Sequence, residues 1–347
     1  MKSSNPVSPE SQREQLVVRS NGRIHFGLME ISDSQPNCYG GIGLMVDYSI
    51  ATVQAIIGKS ANSQCIILAD SHWGPRVHSV TQQWLQTREV LPIQAITVID
   101  SPFPHQGLGS GTQIACTTAS MLFAAETYLD GQWNEQDGLC KLVSMDSLSL
   151  LSQRGKRSHI GLTGFLEGGF VVDHGRTSPS APDAVPSSRT ERYTFPDWPV
   201  ILIQDMACAG DSGVEEAAMF ERCKHQPNSN RESMIHLVQF EILPALQAVD
   251  WMRMNEALGE YGRFAGGIFE PVQGGIYRTS KIANTIEVAK QLGLVGATQS
   301  SWGPTVCAFG QDDEHASWCQ SRLRDKLPHA EITVTKAANT PAQLSRS

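Results

Sequence analysis

The sequence is short of several things, and each shortage narrows what the chain can be. No apolar run approaches the roughly 18 residues of a membrane span, although 40% of the 347 residues are hydrophobic. A soluble, globular chain is expected. Lysine and arginine number 27 against 35 aspartates and glutamates, a formal net charge of -8. That balance argues against a nucleic-acid partner, because phosphate-backbone binding needs clustered basic residues. It leaves room for small anions in a locally basic pocket. The eight cysteines include no CxxC pair and no cysteine–histidine cluster of zinc-site spacing. Most, such as Cys116 in "IACTTA" and Cys307 in "PTVCAF", sit in apolar segments, so buried, reduced thiols in a cytoplasmic protein are expected. The opening "MKSSNPVSPESQREQ" lacks the apolar centre of a secretory signal. Residues 1–15 read as a flexible leader.

The length suits two domains, and the pattern of segments suggests where they divide. "LVVRSNGRIHFGLMEI", "GIGLMVDYSIATVQAII", "QCIILAD" and "AITVID" read as strands. The spacing of Ile114, Ala115, Thr118, Leu122, Ala125 and Leu129 predicts a helix from Thr112 to Leu129, stopped by Asp130-Gly131. A second helix is expected from Gln136 to Leu151, with "GLTGFLEGGFVVDHG" returning to strand. The proline- and serine-rich stretch between Arg176 and Pro199 can sustain neither helix nor central strand. It places a connection at 179–199 between a domain of residues 16–178 and one of residues 200–336, with 337–347 as a tail. The second domain reads as strand "VILIQDM", helices at Glu215–Lys224 and Arg231–Leu258, and a helix bearing Ile282, Ile286, Ala289 and Leu292. Strand "TVCAF", a helix at Asp313–Lys326 and strand "AEITVTK" follow. The class is α+β.

The stretch "FPHQGLGSGTQIACTTA" puts three glycines and a serine directly before a helix. It is not a Walker A loop, since Thr112 and Gln113 stand where lysine and serine or threonine would follow Gly111. Nor is it a dinucleotide fingerprint, because "SPFPHQ" separates the glycines from the preceding strand. What remains is simple chemistry. Glycines let the backbone approach a ligand, and the amides of Ser110 to Gln113 at a helix start favour an anion. A plain turn capped by Ser110 is the alternative. His105 and Gln106 either touch the ligand or shape the turn after Pro104.

The loop "PHQGLGSGTQ" resembles the phosphate-binding motif of the GHMP kinase superfamily, Pro-x-x-x-Gly-Leu-Gly-Ser-Ser, with Pro104 one residue closer and Gly111 for the second serine. "GRIHFGLMEI" with "YGGIGLMVD", "RGKRSHIGLTGFLEGGFVVDHG" and "QSSWGPTVCAF" look like the β-ribofuranosylaminobenzene 5'-phosphate synthase family. The similarity runs from about Val17 to Phe309. It implies a two-domain GHMP-kinase-like fold, an N-terminal mixed sheet with helices and a C-terminal ferredoxin-like split βαβ sandwich.

The reaction implied joins phosphoribosyl pyrophosphate to 4-aminobenzoate or 4-hydroxybenzoate, losing pyrophosphate and carbon dioxide, for methanopterin biosynthesis. The resemblance assigns pyrophosphate to Gly107, Leu108, Gly109, Ser110, Gly111, Thr112 and Gln113. It gives phosphate or benzoate carboxylate to Arg154, Lys156 and Arg157, with a solvated loop as the alternative, and the reacting centre to Arg23 and His25, with a hydrogen-bonded histidine at a sheet margin as the alternative. Ser300, Ser301, Trp302 and Gly303 stand where the superfamily has its third motif, which approaches the phosphate from the second domain. Trp302 reads as packing in the domain seam, with stacking on an aromatic substrate as the alternative. Mg²⁺ is expected with the pyrophosphate, with Asp47, Asp100 and Asp173 as candidate contacts and no redox or pyridoxal cofactor. A homodimer is implied.

Where GHMP kinases carry Ser-Gly-x-Asp, this chain has Ser158-His159-Ile160-Gly161. The base-supplying carboxylate is missing, which speaks against an ATP-dependent kinase. A non-catalytic phosphosugar-binding protein is the other rival.

Overall fold

The computed structural model describes residues 14–32, 37–60, 64–100, 106–134, 136–176, 188–205, 214–224 and 227–346. Pro104, His105, most of the leader and the first part of the proline-rich connection lie outside them. The first half runs β1 (Gln15–Leu28), β2 (Gly41–Ile57), β3 (Ile66–Leu68), α1 (Gly74–Leu85), β4 (Ile93–Asp100), α2 (Ser110–Leu129), α3 (Leu139–Leu142), α4 (Met145–Ser152), α5 (Ile160–Glu167), β5 (Phe170–Arg176) and β6 (Ser188–Tyr193). The second runs β7 (Val200–Asp205), α6 (Val214–Cys223), α7 (Arg231–His236), a π-helical turn at Leu237–Ile242, α8 (Leu243–Ala248), α9 (Trp251–Gly267), α10 (Glu270–Gln273), α11 (Ser280–Gln291), β8 (Thr298–Gln299), β9 (Thr305–Phe309), α12 (Asp313–Lys326), β10 (Ala330–Thr335) and β11 (Gln343–Arg346).

Two sheets form among the described residues. The larger is ordered β11-β1-β2-β4-β3, with β5 on β2 and β6 on β5. Its hub is β2, which is long enough to pair β1 along its length while its start pairs β5 and its end pairs β4. Only β3–β4 is parallel, so the sheet is mixed. The smaller sheet, β10-β7-β9-β8, is antiparallel throughout. Its strand order is that of a split βαβ sandwich, as the sequence predicts.

Helix α2 is the structural centre. From Ser110 to Ala125 almost every side chain is buried, which a helix dominated by Ala, Ser, Thr and Cys permits because short side chains let sheet and helices close in from all sides. It rests on β1 and β2 and is flanked by α1, α4 and α5. In α1, Pro75 sits in the first turn and Val77, Val80, Thr81 and Trp84 share the buried face. The halves share a core. Phe26 of β1 lies 6.3 Å from Phe309 of β9, and Phe309 lies 5.0 Å from Phe195, measured between ring centroids. Each ring so buried contributes about 1.5–3 kcal/mol.

Several expectations change. The stretch from Gly161 to Glu167, predicted as strand, lies in a helix that starts at Ile160. Two glycines disguise it, and both are there for close packing: a Cβ on Gly161 would lie 3.0 Å from Thr112 Cγ2, and one on Gly164 only 2.5 Å from Met45 Sδ. The helix expected at Gln136–Leu151 is two short helices. They divide because Ser144 starts afresh, its hydroxyl accepting from the Ser147 amide at 3.2 Å. The 337–347 tail is not loose: Gln343–Arg346 pairs with β1, Leu16 opposite Arg346, and the Arg346 guanidinium holds Glu14. Gln15, placed in the leader, already belongs to β1, and the end of the connection forms β6 on β5. No helix among the described residues is long and apolar enough to cross a membrane.

Candidate active site

The glycine turn is held open by backbone geometry. Gly107 and Gly109 have φ of +84° and +73°, conformations that side-chain-bearing residues rarely adopt. From there α2 begins, and both the Thr112 and Gln113 amides donate to the Gly109 carbonyl at 3.0 Å. The Ser110 and Gly111 amides have no partner among the described residues. They, rather than the full run to Gln113, form the open end of the helix.

The second turn is stitched to the first through β1. The His25 amide donates to Ser300 Oγ (3.1 Å), and that hydroxyl donates to the Gly107 carbonyl (2.6 Å). The Ser301 amide donates to the His25 carbonyl (2.8 Å), and the Arg23 amide to the Leu108 carbonyl (2.8 Å). Strand β1 thereby holds both glycine turns at fixed height, one from each half.

Between them opens a cleft of about 920 Å³. The sequence-predicted residues Arg23, His25, Gly107, Gly109, Ser110, Gly111, Thr112, Arg154, Lys156, Arg157, Ser301, Trp302 and Gly303 all line it. Leu108, Gln113 and Ser300 do not. Leu108 is a core residue, and Gln113 is buried behind the turn, its Nε2 donating to the Gly161 carbonyl at 3.3 Å. Ser300 is fully buried and acts through the two hydrogen bonds just given.

Charge in the cleft is one-sided. Arg23, Arg76, Arg154, Lys156 and Arg157 line it, and no aspartate or glutamate does among the described residues. Arg154 is fixed over the helix start, its Nη2 donating to the Gly111 carbonyl at 3.2 Å. Arg23 passes beside Gly109, whose Cβ, if present, would sit 3.1 Å from its Nε. Asp173 lies wholly buried beside Ser158 and His159. It accepts from Ser158 Oγ (3.0 Å) and from the His159 (2.7 Å) and Gly175 (2.9 Å) amides. Asp47 and Asp100 also lie off the cleft, so none of the three candidate magnesium contacts reaches it. No group of three His, Cys, Asp or Glu among the described residues could hold a metal.

His25 is almost completely buried and, with Arg23 adding its charge, burial drives its pKa down to about 3. The imidazole is neutral. Its Nδ1 accepts from the Gly27 amide at 3.1 Å, so the proton sits on Nε2 and the ring is a donor.

At the other end, aromatic side chains gather. Trp302 lies 4.5 Å from Phe269 and 4.9 Å from Phe220, between centroids, and the Arg157 guanidinium sits 3.8 Å over the Phe220 ring. Trp302 therefore packs in the seam and lines the cleft as well. Phe220, Phe269, Trp73 and Arg76 complete the walls and were not legible in the sequence. None stands in a glycine motif or a charge cluster.

This architecture has known counterparts. Mevalonate diphosphate decarboxylase from Staphylococcus aureus superposes with a TM-score of 0.63 at 12% identity, covering 96% of this chain and 98% of that one. Homoserine kinase from Cytophaga hutchinsonii gives 0.59 at 15%, covering 98% and 100%. A family model described as GHMP kinases C terminal matches residues 242–329. The fold is that of the GHMP kinases. Along the sequence, this chain is 24% identical to the β-ribofuranosylphenol 5'-phosphate synthase of Methanothermobacter thermautotrophicus, over 94% of this chain and 98% of the relative. It is 26% identical to the protein of that name from Archaeoglobus fulgidus, over 95% and 99%. The resemblance read from the motifs thus extends over nearly the whole chain.

Proposed function

We propose that the chain is an enzyme that joins phosphoribosyl pyrophosphate to a 4-substituted benzoate, releasing pyrophosphate and carbon dioxide and forming a ribofuranosyl-arene 5'-phosphate. The observation that carries this reading is the composition of one cleft. Two glycine turns, five cations and no carboxylate among the described lining residues meet an aromatic cluster braced by a guanidinium. In a chain of net charge -8, such a cleft is a local trap for anions.

The new bond forms between C1 of the ribose and the ring carbon bearing the carboxylate, as the bond from C1 to the pyrophosphate oxygen breaks. Negative charge grows on the leaving group. The Ser110 and Gly111 amides, Arg23 and Arg154 stabilise it there. His25 offers the Nε2 proton as a neutral donor. Arg157 takes the benzoate carboxylate while Phe269 and Trp302 hold the ring. The electron pair of the ring–carboxylate bond then returns to the ring, and carbon dioxide departs neutral.

No proton leaves the attacking carbon, because carbon dioxide leaves in its place. A cleft with no carboxylate among its described lining residues suits this chemistry, whereas phosphorylation of an alcohol asks for a group to take the hydroxyl proton. Magnesium is proposed as the counter-ion of the pyrophosphate. No carboxylate among the described residues lining the cleft would hold it, so it would enter with the substrate.

The relatives' name, a ribofuranosylphenol phosphate synthase, favours 4-hydroxybenzoate over 4-aminobenzoate; use of the product for methanopterin is part of the same proposal. A cytoplasmic homodimer completes the proposal. The test supplies Mg²⁺, phosphoribosyl pyrophosphate and each carboxyl-labelled benzoate. Equal yields of labelled carbon dioxide and pyrophosphate without ATP are expected. Turnover only with ATP would favour the kinase, and binding without turnover a non-catalytic phosphosugar carrier.

A further inference from the structure

The proposed substrate has two anionic ends, a diphosphate on C1 and a phosphate on C5 of the ribose. One helix start can serve only one of them. The cations around the glycine turn are committed by position: Arg23 beside Gly109, Arg154 on the Gly111 carbonyl, Arg157 over Phe220. Arg76 stands apart from these on α1. It is half-buried, its side chain lines the cleft, and neither an acid nor a hydrogen-bond partner for its guanidinium exists among the described residues. Burial alone lowers its pKa, with no charged neighbour contributing. Keeping a partly desolvated cation without a counter-charge is costly, and an anion in the cleft relieves that cost.

The α1 wall is placed for the task. Trp73, at the start of α1, is buried beside the first glycine turn: a Cβ on Gly111 would lie 4.0 Å from its ring and 3.3 Å from Arg154 Nη2. Ser79, one turn beyond Arg76, also lines the cleft and shares its helix face. The Gln153 side chain donates to Gln83 Oε1 at 2.9 Å, tying α1 to the turn that carries Arg154.

We propose that Arg76, with Ser79 beside it, holds the sugar 5-phosphate and so selects phosphorylated sugar diphosphates. This rests on the phosphoribosyl reading above. The test titrates pyrophosphate into the wild type, then ribose 5-phosphate into protein already saturated with pyrophosphate, and repeats both with Arg76→Gln and Arg76→Lys.

Arg76→Gln is expected to weaken ribose 5-phosphate at least about tenfold, leaving pyrophosphate within about twofold, with Arg76→Lys between. In turnover, KM for phosphoribosyl pyrophosphate rises while KM for the benzoate holds. Equal weakening of both ligands, or of neither, overturns the assignment of Arg76. So does failure of ribose 5-phosphate to join a pyrophosphate-loaded wild type. A wild type that binds no pyrophosphate overturns the phosphoribosyl reading itself, and this assignment with it.

Discussion

Gly107 and Gly303 meet backbone to backbone across the two halves of the molecule. A Cβ on Gly303 would lie 2.1 Å from the Gly107 Cα, and one on Gly107 would lie 2.8 Å from the Ser300 carbonyl oxygen. No side chain can give way there, because the obstructing atoms are main chain. The closeness of the two turns is therefore written into two residues almost 200 positions apart, and the mouth of the cleft depends on both.

Gly303→Ala must push the turns apart. A loss of at least about tenfold in kcat/KM is expected, with a destabilisation of about 1–3 kcal/mol, the usual range for forced overpacking. Gly267→Ala is the control, since a Cβ there meets nothing within 4 Å; its Tm should hold or rise. Equal behaviour of the two variants would contradict the contact.

Ser300→Ala removes the hydroxyl that accepts from the His25 amide and donates to the Gly107 carbonyl. One buried and one part-buried backbone group lose their partner. A cost of about 1–3 kcal/mol per unsatisfied group is the scale, readable in urea denaturation, and KM for phosphoribosyl pyrophosphate should rise. Ser300→Thr keeps the hydroxyl and is expected to recover part of both.

His25 supplies a pH signature. Its folded pKa of about 3 lies below the ordinary 6.5, so between those values the unfolded chain binds the extra proton. Its contribution to stability is complete above pH 6.5 and is lost as pH falls towards 3. Carboxylates titrate in the same range, so the difference between wild type and His25→Gln isolates the effect. That difference should narrow as the solution is acidified. Nitrogen chemical shifts should keep the imidazole neutral, with its proton on Nε2, at pH 5.

The aromatic end separates the two substrates. Arg157→Ala takes the guanidinium from above Phe220 and is expected to raise the benzoate KM about tenfold, with a far smaller effect on phosphoribosyl pyrophosphate. Phe220→Leu removes the support and keeps the charge, so a milder change in the same direction is expected. A rise confined to phosphoribosyl pyrophosphate in both variants would move Arg157 to the phosphate end.

Legibility followed the range of the interaction. The glycine turn before α2 and the Ser300–Gly303 turn could be read because each is a local backbone requirement, and the cations at 154–157 because they are consecutive. The helix at Ile160–Glu167 is hidden in the sequence since Gly161 and Gly164 answer to Thr112 and Met45, partners far away in sequence. Arg76, Phe220 and Phe269 carry no local mark at all. Only the packing of α1, α6 and α10 around the turns brings them to one cleft. Likewise β11 looked like a tail because its partner, β1, lies at the opposite end of the chain.

The most direct test of the central claim is a crystal structure of the protein soaked with phosphoribosyl pyrophosphate. The diphosphate should sit against the Ser110 and Gly111 amides, between Gly107 and Gly303, with Arg23 and Arg154 in contact. A diphosphate bound elsewhere, with those amides turned to solvent or covered by side chains, would contradict it.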